Sequence, residues 1–186
     1  MQYLELLSPA KNLECGKAAI DHGADAVYIG ASRFGARAAA GNTIEDIAEL
    51  CAYAHQFDAK VYVTVNTIVY DNEINDTLQL CRQLQTVGVD AILVQDMGLM
   101  DRLNNDSSDS SLKPALHAST QTDNRTAEKV RWLASLGFKR VVLARELSVT
   151  EIAEIHRRVP EVELEKHGNI FIAIRINMEI STPPSV

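Results

Sequence analysis

Residues 23–29 read Gly-Ala-Asp-Ala-Val-Tyr-Ile, and residues 88–94 repeat the same pattern as Gly-Val-Asp-Ala-Ile-Leu-Val. Residues 137–143, Gly-Phe-Lys-Arg-Val-Val-Leu, occupy the same place after a later helical stretch. A glycine suits the left-handed position that ends a helix, and the apolar, β-branched run after it predicts a buried strand. The repeat therefore predicts that each of these helices ends where the next strand begins.

Short apolar strands alternate with amphipathic helices along most of the chain. The predicted strands are Tyr3–Leu7, Ala26–Ile29, Lys60–Val65, Ala91–Val94, Ala115–Ala118, Arg140–Leu143 and Val162–Leu164. Such alternation predicts a parallel sheet with right-handed crossovers. Polar residues end nearly every strand, which favours a TIM-barrel-like (β/α) barrel over a doubly wound sheet, where ligand groups gather at one switch point. We expect an α/β barrel with about six βα units and one or two further strands, which is incomplete.

The end of the chain departs from this pattern. We expect residues 1–168 to form the barrel domain and residues 169–186 to be a divergent tail left by truncation or a frameshift. Its isoleucines alternate as an eighth strand would: Ile170, Ile172, Ile174 and Ile176. A Pro-rich segment follows in place of a final helix. Because an open parallel sheet exposes unpaired edge groups, we predict self-association through those edges.

The composition is that of a globular protein with one domain. Of the 186 residues, 46% are apolar and 23% are charged, and the formal net charge is -7. The negative charge disfavours non-specific binding to phosphate backbones. The apolar runs are short and the first residues lack the order of a signal peptide, so we expect a cytoplasmic protein that does not enter a membrane.

The polar residues at the strand ends are the candidate site. In a barrel the carboxyl ends of the strands meet at one mouth, so residues far apart in sequence converge there. The catalytic candidates are an imidazole that can act as a general base and two carboxylates: His117, Asp96 and Glu146. The substrate-binding candidates are amides, hydroxyls and cations: Arg33, Arg37, Asn66, Gln95, Ser119, Gln121 and Arg145.

Each candidate also has a structural interpretation. His117 can hydrogen-bond between strands, and Asp96 can cap the following helix. Arg145 and Glu146 are adjacent and so point to opposite faces of a strand, which makes one of them a partner for a helix. The three cysteines Cys15, Cys51 and Cys81 are widely spaced with no CxxC pair, so we interpret them as structural thiols and expect no metal site.

Six motifs, in this order, resemble peptidase family U32, the collagenase-like proteases. They are Glu5–Ala10, Gly23–Gly30, Tyr62–Thr67, Val94–Asp96, His117–Gln121 and Val142–Ser148. The resemblance covers about Tyr3 to Gly168. It implies a barrel-like N-terminal domain and peptidase activity, although several members act instead in hydroxylation of tRNA, ribosomal RNA or ubiquinone precursors.

Those hydroxylation members resemble iron-sulfur proteins. The resemblance implies cluster cysteines just after a His-Gly pair, and His167-Gly168 stands in about that place. Residues 169–186 contain no cysteine. We therefore expect no cofactor in this chain, and an iron-sulfur cluster only in full-length relatives.

Three functional hypotheses stay open. The first is a peptidase, in which His117 and a carboxylate from Asp96 or Glu146 activate water or a nucleophile on a peptide. The second is the substrate-binding part of an RNA- or quinone-precursor-hydroxylation protein, with Arg33, Arg37 and Arg145 as anion contacts. The third is an inactive fragment. The sequence shows no paired carboxylate, HExxH motif or nucleophile elbow that would decide for the peptidase.

Overall fold

The computed structural model describes residues 4–31, 41–105, 114–167 and 173–176. The strands are β1 (Leu4–Ala10), β2 (Ala26–Gly30), β3 (Lys60–Val65), β4 (Ala91–Val94), β5 (Ala115–Ala118), β6 (Arg140–Val142), β7 (Glu163–His167) and β8 (Ala173–Ile176). The helices are α1 (Leu13–Asp21), α2 (Ile44–Ala54), α3 (Ile74–Thr86), α4 (Met97–Asn105), α5 (Ala127–Ser135) and α6 (Val149–Arg158). Among these residues, no helix is long and apolar enough to cross a membrane.

The strands lie in sequence order, and every adjacent pair from β1 and β2 to β6 and β7 is parallel. Helices alternate with these strands, which confirms the predicted TIM-barrel-like α/β fold. The barrel is also incomplete, as predicted. In the described ranges seven parallel strands and six α-helices are present, whereas a complete barrel has eight of each.

The eighth strand corrects the expectation of open sheet edges. β8 is antiparallel to both of its neighbours, with Ile176 opposite Leu4 of β1 and opposite Leu164 of β7. An antiparallel strand needs no crossover helix, so a short segment is enough to pair both edges. Ile174 and Ile176 lie in this strand as predicted, whereas Ile170 and Ile172 lie outside the described residues. Self-association stays a prediction, but its expected cause, a pair of open edges, is absent from the eight described strands.

The repeated Gly-x-Asp motif has a structural role at the start of the strands. Gly23 and Gly88 have φ angles of 93° and 85°, the left-handed conformation that ends a helix. The carboxylate of Asp25 accepts a hydrogen bond from the backbone N–H of Leu6 at 2.7 Å, and Asp90 accepts one from Val61 at 2.8 Å. Each aspartate therefore ties the strand that it precedes to the neighbouring strand.

The two faces of the strands form two different cores. Outward residues such as Val27 and Ile29 pack against the helices in the larger cluster. Inward residues form a smaller cluster inside the barrel: Leu7, Ala26, Tyr28, Tyr62, Ala91, Leu93 and Val142. This alternation with a period of two residues is that of β-strands. On the outer face of β1, Leu6 is 37% exposed, as expected where the ring of helices is not complete.

The contact between α1 and α2 gives a test of this packing. A Cβ atom at Gly16 would lie 2.8 Å from Cδ1 of Leu50, which is fully buried. Gly16→Ala should lower the free energy of unfolding by about 1–3 kcal/mol through overpacking, despite the higher helix propensity of alanine. Because Leu50→Ala makes room, the double variant should lose less than the sum of the single losses, and urea unfolding measures all three. Additive losses would contradict this contact.

Candidate functional site

A buried ion network fills one part of the barrel interior. Arg140, the first residue of β6, is buried and points inward, where its guanidinium meets carboxylates from two other strands. Nη1 donates to Oε1 of Glu5 on β1 at 2.8 Å, and Nη2 donates to Oε2 of the same carboxylate at 3.2 Å. Nε donates to Glu163 on β7 at 3.0 Å, and Nη1 approaches Oε2 of Glu165 at 3.4 Å. The network therefore joins β1, β6 and β7 through one cation.

Two tyrosines extend this network across the barrel. The hydroxyl of Tyr62 donates to Oε1 of Glu5 at 2.8 Å, and the ring lies 5.0 Å below the Arg140 guanidinium. The hydroxyl of Tyr28 donates to Oε2 of Glu165. Burial raises the pKa of both phenols, and the charge of Glu165 adds to the effect on Tyr28, while Arg140 opposes it at both tyrosines. Both therefore remain protonated donors at neutral pH.

The same network keeps the arginine charged. Burial alone would lower the pKa of the Arg140 guanidinium, but the hydrogen bonds to Glu5 and the charges around it raise the pKa above its ordinary value. A buried charge of this kind is tolerated only when it is paired and hydrogen-bonded. The carboxylates of Glu5 and Glu165 meet that need.

An imidazole at the end of β7 connects the network to the mouth. Nε2 of His167 lies 3.3 Å from Oε1 of Glu165, and the ring stacks on Tyr28 with centroids 6.2 Å apart. The side chain of His167 is 30% exposed, whereas Glu165 is fully buried. His167 therefore lies between the buried carboxylate and the solvent at the mouth.

The structure brings three of the predicted binding residues together at the mouth. Nδ2 of Asn66 donates to the hydroxyl of Ser119 at 3.1 Å, and that hydroxyl donates to Oε1 of Gln121 at 3.2 Å. Below them, buried Asn124 donates to the carbonyls of Ser119 at 2.9 Å and Val142 at 2.8 Å. The ends of β3, β5 and β6 are thus held close to one another, and they present amides and a hydroxyl.

His117 lies deeper than the sequence suggested. It is the third residue of β5, it is buried, and its ring packs edge-on against Tyr62 with centroids 5.0 Å apart. Its inward direction is shared with Ser119, two residues further on. A catalytic role for His117 stays a prediction.

The predicted carboxylates are not brought to His117 by any contact between described residues. Oδ1 of Asp96 accepts from the backbone N–H of Leu99 at 2.7 Å, which is the helix-capping role. Because β6 ends at Val142, Arg145 and Glu146 lie in an exposed turn and do not point to opposite faces of a strand. Gln95 is half-buried directly after β4. Arg33 and Arg37 lie outside the described residues.

Sequence reasoning missed the buried network. Its members lie within apolar strands, and charged residues such as Glu5 and Arg140 are normally expected at the protein surface. One signal was available: Glu163, Glu165 and His167 alternate along β7 and so face the same side. Three titratable residues on one face of a barrel strand indicate a polar interior.

The described thiols do not fit an iron-sulfur cluster. Cys15 is exposed on α1, whereas Cys51 and Cys81 are buried on α2 and α3 in the layer between helices and strands. Burial raises the pKa of the Cys51 thiol to about 12, and burial does the same for Cys81. In the described ranges no three His, Cys, Asp or Glu side chains are placed to hold a metal ion.

A cavity of about 290 Å³ lies at the other end of the barrel. It is lined by residues of α3, α4 and the starts of β5 and β6, including Cys81, Arg82, Ala115 and Lys139. Sites in TIM barrels lie at the carboxyl ends of the strands. The mouth formed by Asn66, Ser119, Gln121 and His167 is therefore the candidate site, and this cavity is not.

Comparison with known proteins places the chain among relatives of two kinds. The profile of peptidase family U32 matches residues 11–181. The chain is 46% identical to the 23S rRNA 5-hydroxycytidine C2501 synthase of Escherichia coli, over 91% of this chain and 25% of the relative. It is 37% identical to tRNA hydroxylation protein P1 of Bacillus subtilis, over 91% of this chain and 40% of that protein.

It is also 38% identical to an uncharacterized protease of Methanocaldococcus jannaschii, over 94% of this chain and 43% of the relative. The chain thus spans between a quarter and less than half of the length of these relatives. The solved structure of a U32 peptidase superposes with a TM-score of 0.67 at 17% identity, over 86% of this chain and 66% of that one. That likeness supports the barrel fold alone.

Removal of the central cation should be costly. Arg140→Met leaves buried carboxylates without their partner, and we expect the free energy of unfolding to fall by about 3–5 kcal/mol. Arg157→Met is the matched control, because Arg157 pairs with Glu154 at the surface, and its effect should be much smaller. Adding Glu5→Gln to Arg140→Met should recover part of the loss. Equal losses for the two arginine variants in urea unfolding would contradict the network.

The buried thiols predict a decline of stability at alkaline pH. An unfolded thiol has a pKa of about 8.5, whereas Cys51 and Cys81 have values of about 12 in the fold. The contribution of the two protonated thiols to the free energy of unfolding is fully present below about pH 8.5. It is lost as the pH rises toward 12, by up to about 1.4 kcal/mol per pH unit for each thiol. Under reducing conditions, Cys51→Ala with Cys81→Ala should flatten the fall in urea stability over this window. Cys15 is exposed, so Cys15→Ala should leave the pH dependence of stability unchanged. An equal flattening in Cys15→Ala would refute the assignment of this pH dependence to the two buried thiols.

Proposed function

Because the chain belongs to peptidase family U32, we propose that it is the substrate-binding barrel of an RNA-hydroxylation protein. An RNA nucleoside binds at the mouth beside Asn66, Ser119 and Gln121. The observation that carries the proposal is the 46% identity to a synthase whose name specifies hydroxylation of a cytidine in ribosomal RNA. A cytoplasmic location is part of the proposal.

The chemistry of the mouth supports this substrate. Gln121 is exposed, and its amide carries a donor beside the oxygen that accepts from Ser119. An amide of this kind matches the edge of a nucleobase. A nucleobase that enters an enzyme pocket is read by such hydrogen bonds after it leaves its stack. The hydroxyl of Ser119 lies between the amides of Asn66 and Gln121.

No redox step is assigned to this chain. Hydroxylation needs an oxidant. The hydroxylation members of the family resemble iron-sulfur proteins, but the described thiols of this chain do not fit an iron-sulfur cluster. The role of the barrel in this proposal is to bind and orient the nucleoside.

Peptide cleavage is the second candidate, favoured by the similarity to an uncharacterized archaeal protease. The geometry supports it less well. A serine nucleophile needs an adjacent general base, but the described contacts of the Ser119 hydroxyl are with the amides of Asn66 and Gln121. The catalytic set of His117, Asp96 and Glu146 is not joined by contacts in the described structure.

RNA binding tests the proposal directly. Fluorescence anisotropy with labelled single-stranded RNA should give saturable binding, and Gln121→Ala should weaken it about 2- to 12-fold, the effect of one hydrogen bond. Gln56→Ala is the matched control, since Gln56 is exposed at the opposite end of the barrel, where its amide bonds to Ala52.

Casein and gelatin are incubated with the same preparations. The proposal fails if the wild-type chain does not bind RNA, or if both glutamine variants bind equally well. Cleavage of either protein that is lost in Ser119→Ala would favour the peptidase instead.

A further inference from the structure

We propose that Tyr70 and Ile68 form a platform on which an unpaired RNA base stacks beside the mouth. This inference rests on the proposed function and names a further contact of the same site. Both residues lie in the loop from β3 to α3, which begins with Asn66, so they stand at the carboxyl end of the barrel.

The two side chains are exposed although their backbone is fixed. Tyr70 and Ile68 are each 66% exposed, while Val69 between them packs against the core. The N–H of Tyr70 donates to the carboxylate of Glu73 at 3.1 Å, and the N–H of Glu73 donates to the carbonyl of Tyr70 at 2.8 Å. These bonds fix the backbone at Tyr70 and leave the side chains of Tyr70 and Ile68 in solvent.

Tyr70 differs from the other exposed aromatic residues in its contacts with the residues that the structure describes. Phe57 packs against Tyr53 with ring centroids 5.2 Å apart, and Lys129 lies 4.8 Å above the ring of Trp132. In the described part of the chain, no aromatic ring or cation covers Tyr70. An aromatic ring with an open face is the surface on which nucleobases stack.

The charge of the chain favours stacking over phosphate contacts as the source of affinity. The formal net charge is -7, which disfavours attraction of the phosphate backbone to the chain as a whole. Stacking does not depend on that charge, and it requires a base that is free of its duplex. The partner that fits is single-stranded RNA.

Tryptophan fluorescence provides a local readout, because Trp132 is the one tryptophan of the chain. In a Trp132→Phe background, Tyr70→Trp places a fluorophore on the platform, and Phe57→Trp places one at the opposite end of the barrel. Titration with a short oligocytidine should quench the fluorescence of the first protein and leave that of the second unchanged. A duplex of the same length should quench neither.

Affinity is measured in parallel by anisotropy. Tyr70→Ala should weaken binding of the oligocytidine about 5- to 150-fold, and Tyr70→Phe should stay within about 2-fold of the wild type. Phe57→Ala is the matched control, with no change expected.

The outcomes separate the platform from the proposed function. If Gln121→Ala weakens RNA binding while Tyr70→Ala does not, the platform is overturned and RNA binding at the mouth stands. Equal quenching at positions 70 and 57, or tighter binding of duplex, also overturns the platform. If no RNA binds to the wild-type chain, both proposals fail. Both also fail if a peptide quenches the fluorophore at position 70 and RNA does not.

Discussion

The ion network around Arg140 sets the geometry of the barrel interior. One guanidinium binds Glu5 on β1 through two nitrogens and reaches Glu163 and Glu165 on β7, while its face lies over Tyr62 on β3. A charge in this position is stable only when its partners are correctly placed. The network therefore stabilises one arrangement of the strands, and β8 then closes the ring between β7 and β1.

The mouth depends on this arrangement. Its hydrogen-bonding groups stand on the ends of different strands, and Asn124 holds the ends of β5 and β6 together. Glu165 belongs to both regions, because Tyr28 donates to one of its oxygens while His167 lies near the other. His167 thus lies between the buried charges and the solvent at the mouth.

Much of the fold could be predicted because it depends on local patterns. The alternation of strands and helices, the capping residues Thr43 and Ser148 and the glycines before the strands are all readable from neighbouring residues. The antiparallel direction of β8 could not be predicted, because it depends on pairing with strands that are distant in sequence. The polar interior was missed for the same reason.

The candidate site was predicted in part. The convergence of Asn66, Ser119 and Gln121 follows from parallel strands, whose carboxyl ends must meet. Asp96 had two interpretations that the sequence could not separate, and the structure shows the helix cap. Arg145 and Glu146 are interpreted from the sequence as strand residues with opposite faces, but they lie in a turn after β6. The central claim is that RNA binds at the mouth, and chemical-shift mapping of backbone amides during titration with single-stranded RNA tests it most directly. The account predicts changes around Asn66, Tyr70, Ser119 and His167; changes confined to the opposite end, around Phe57, Gly88 and Gly137, would contradict it.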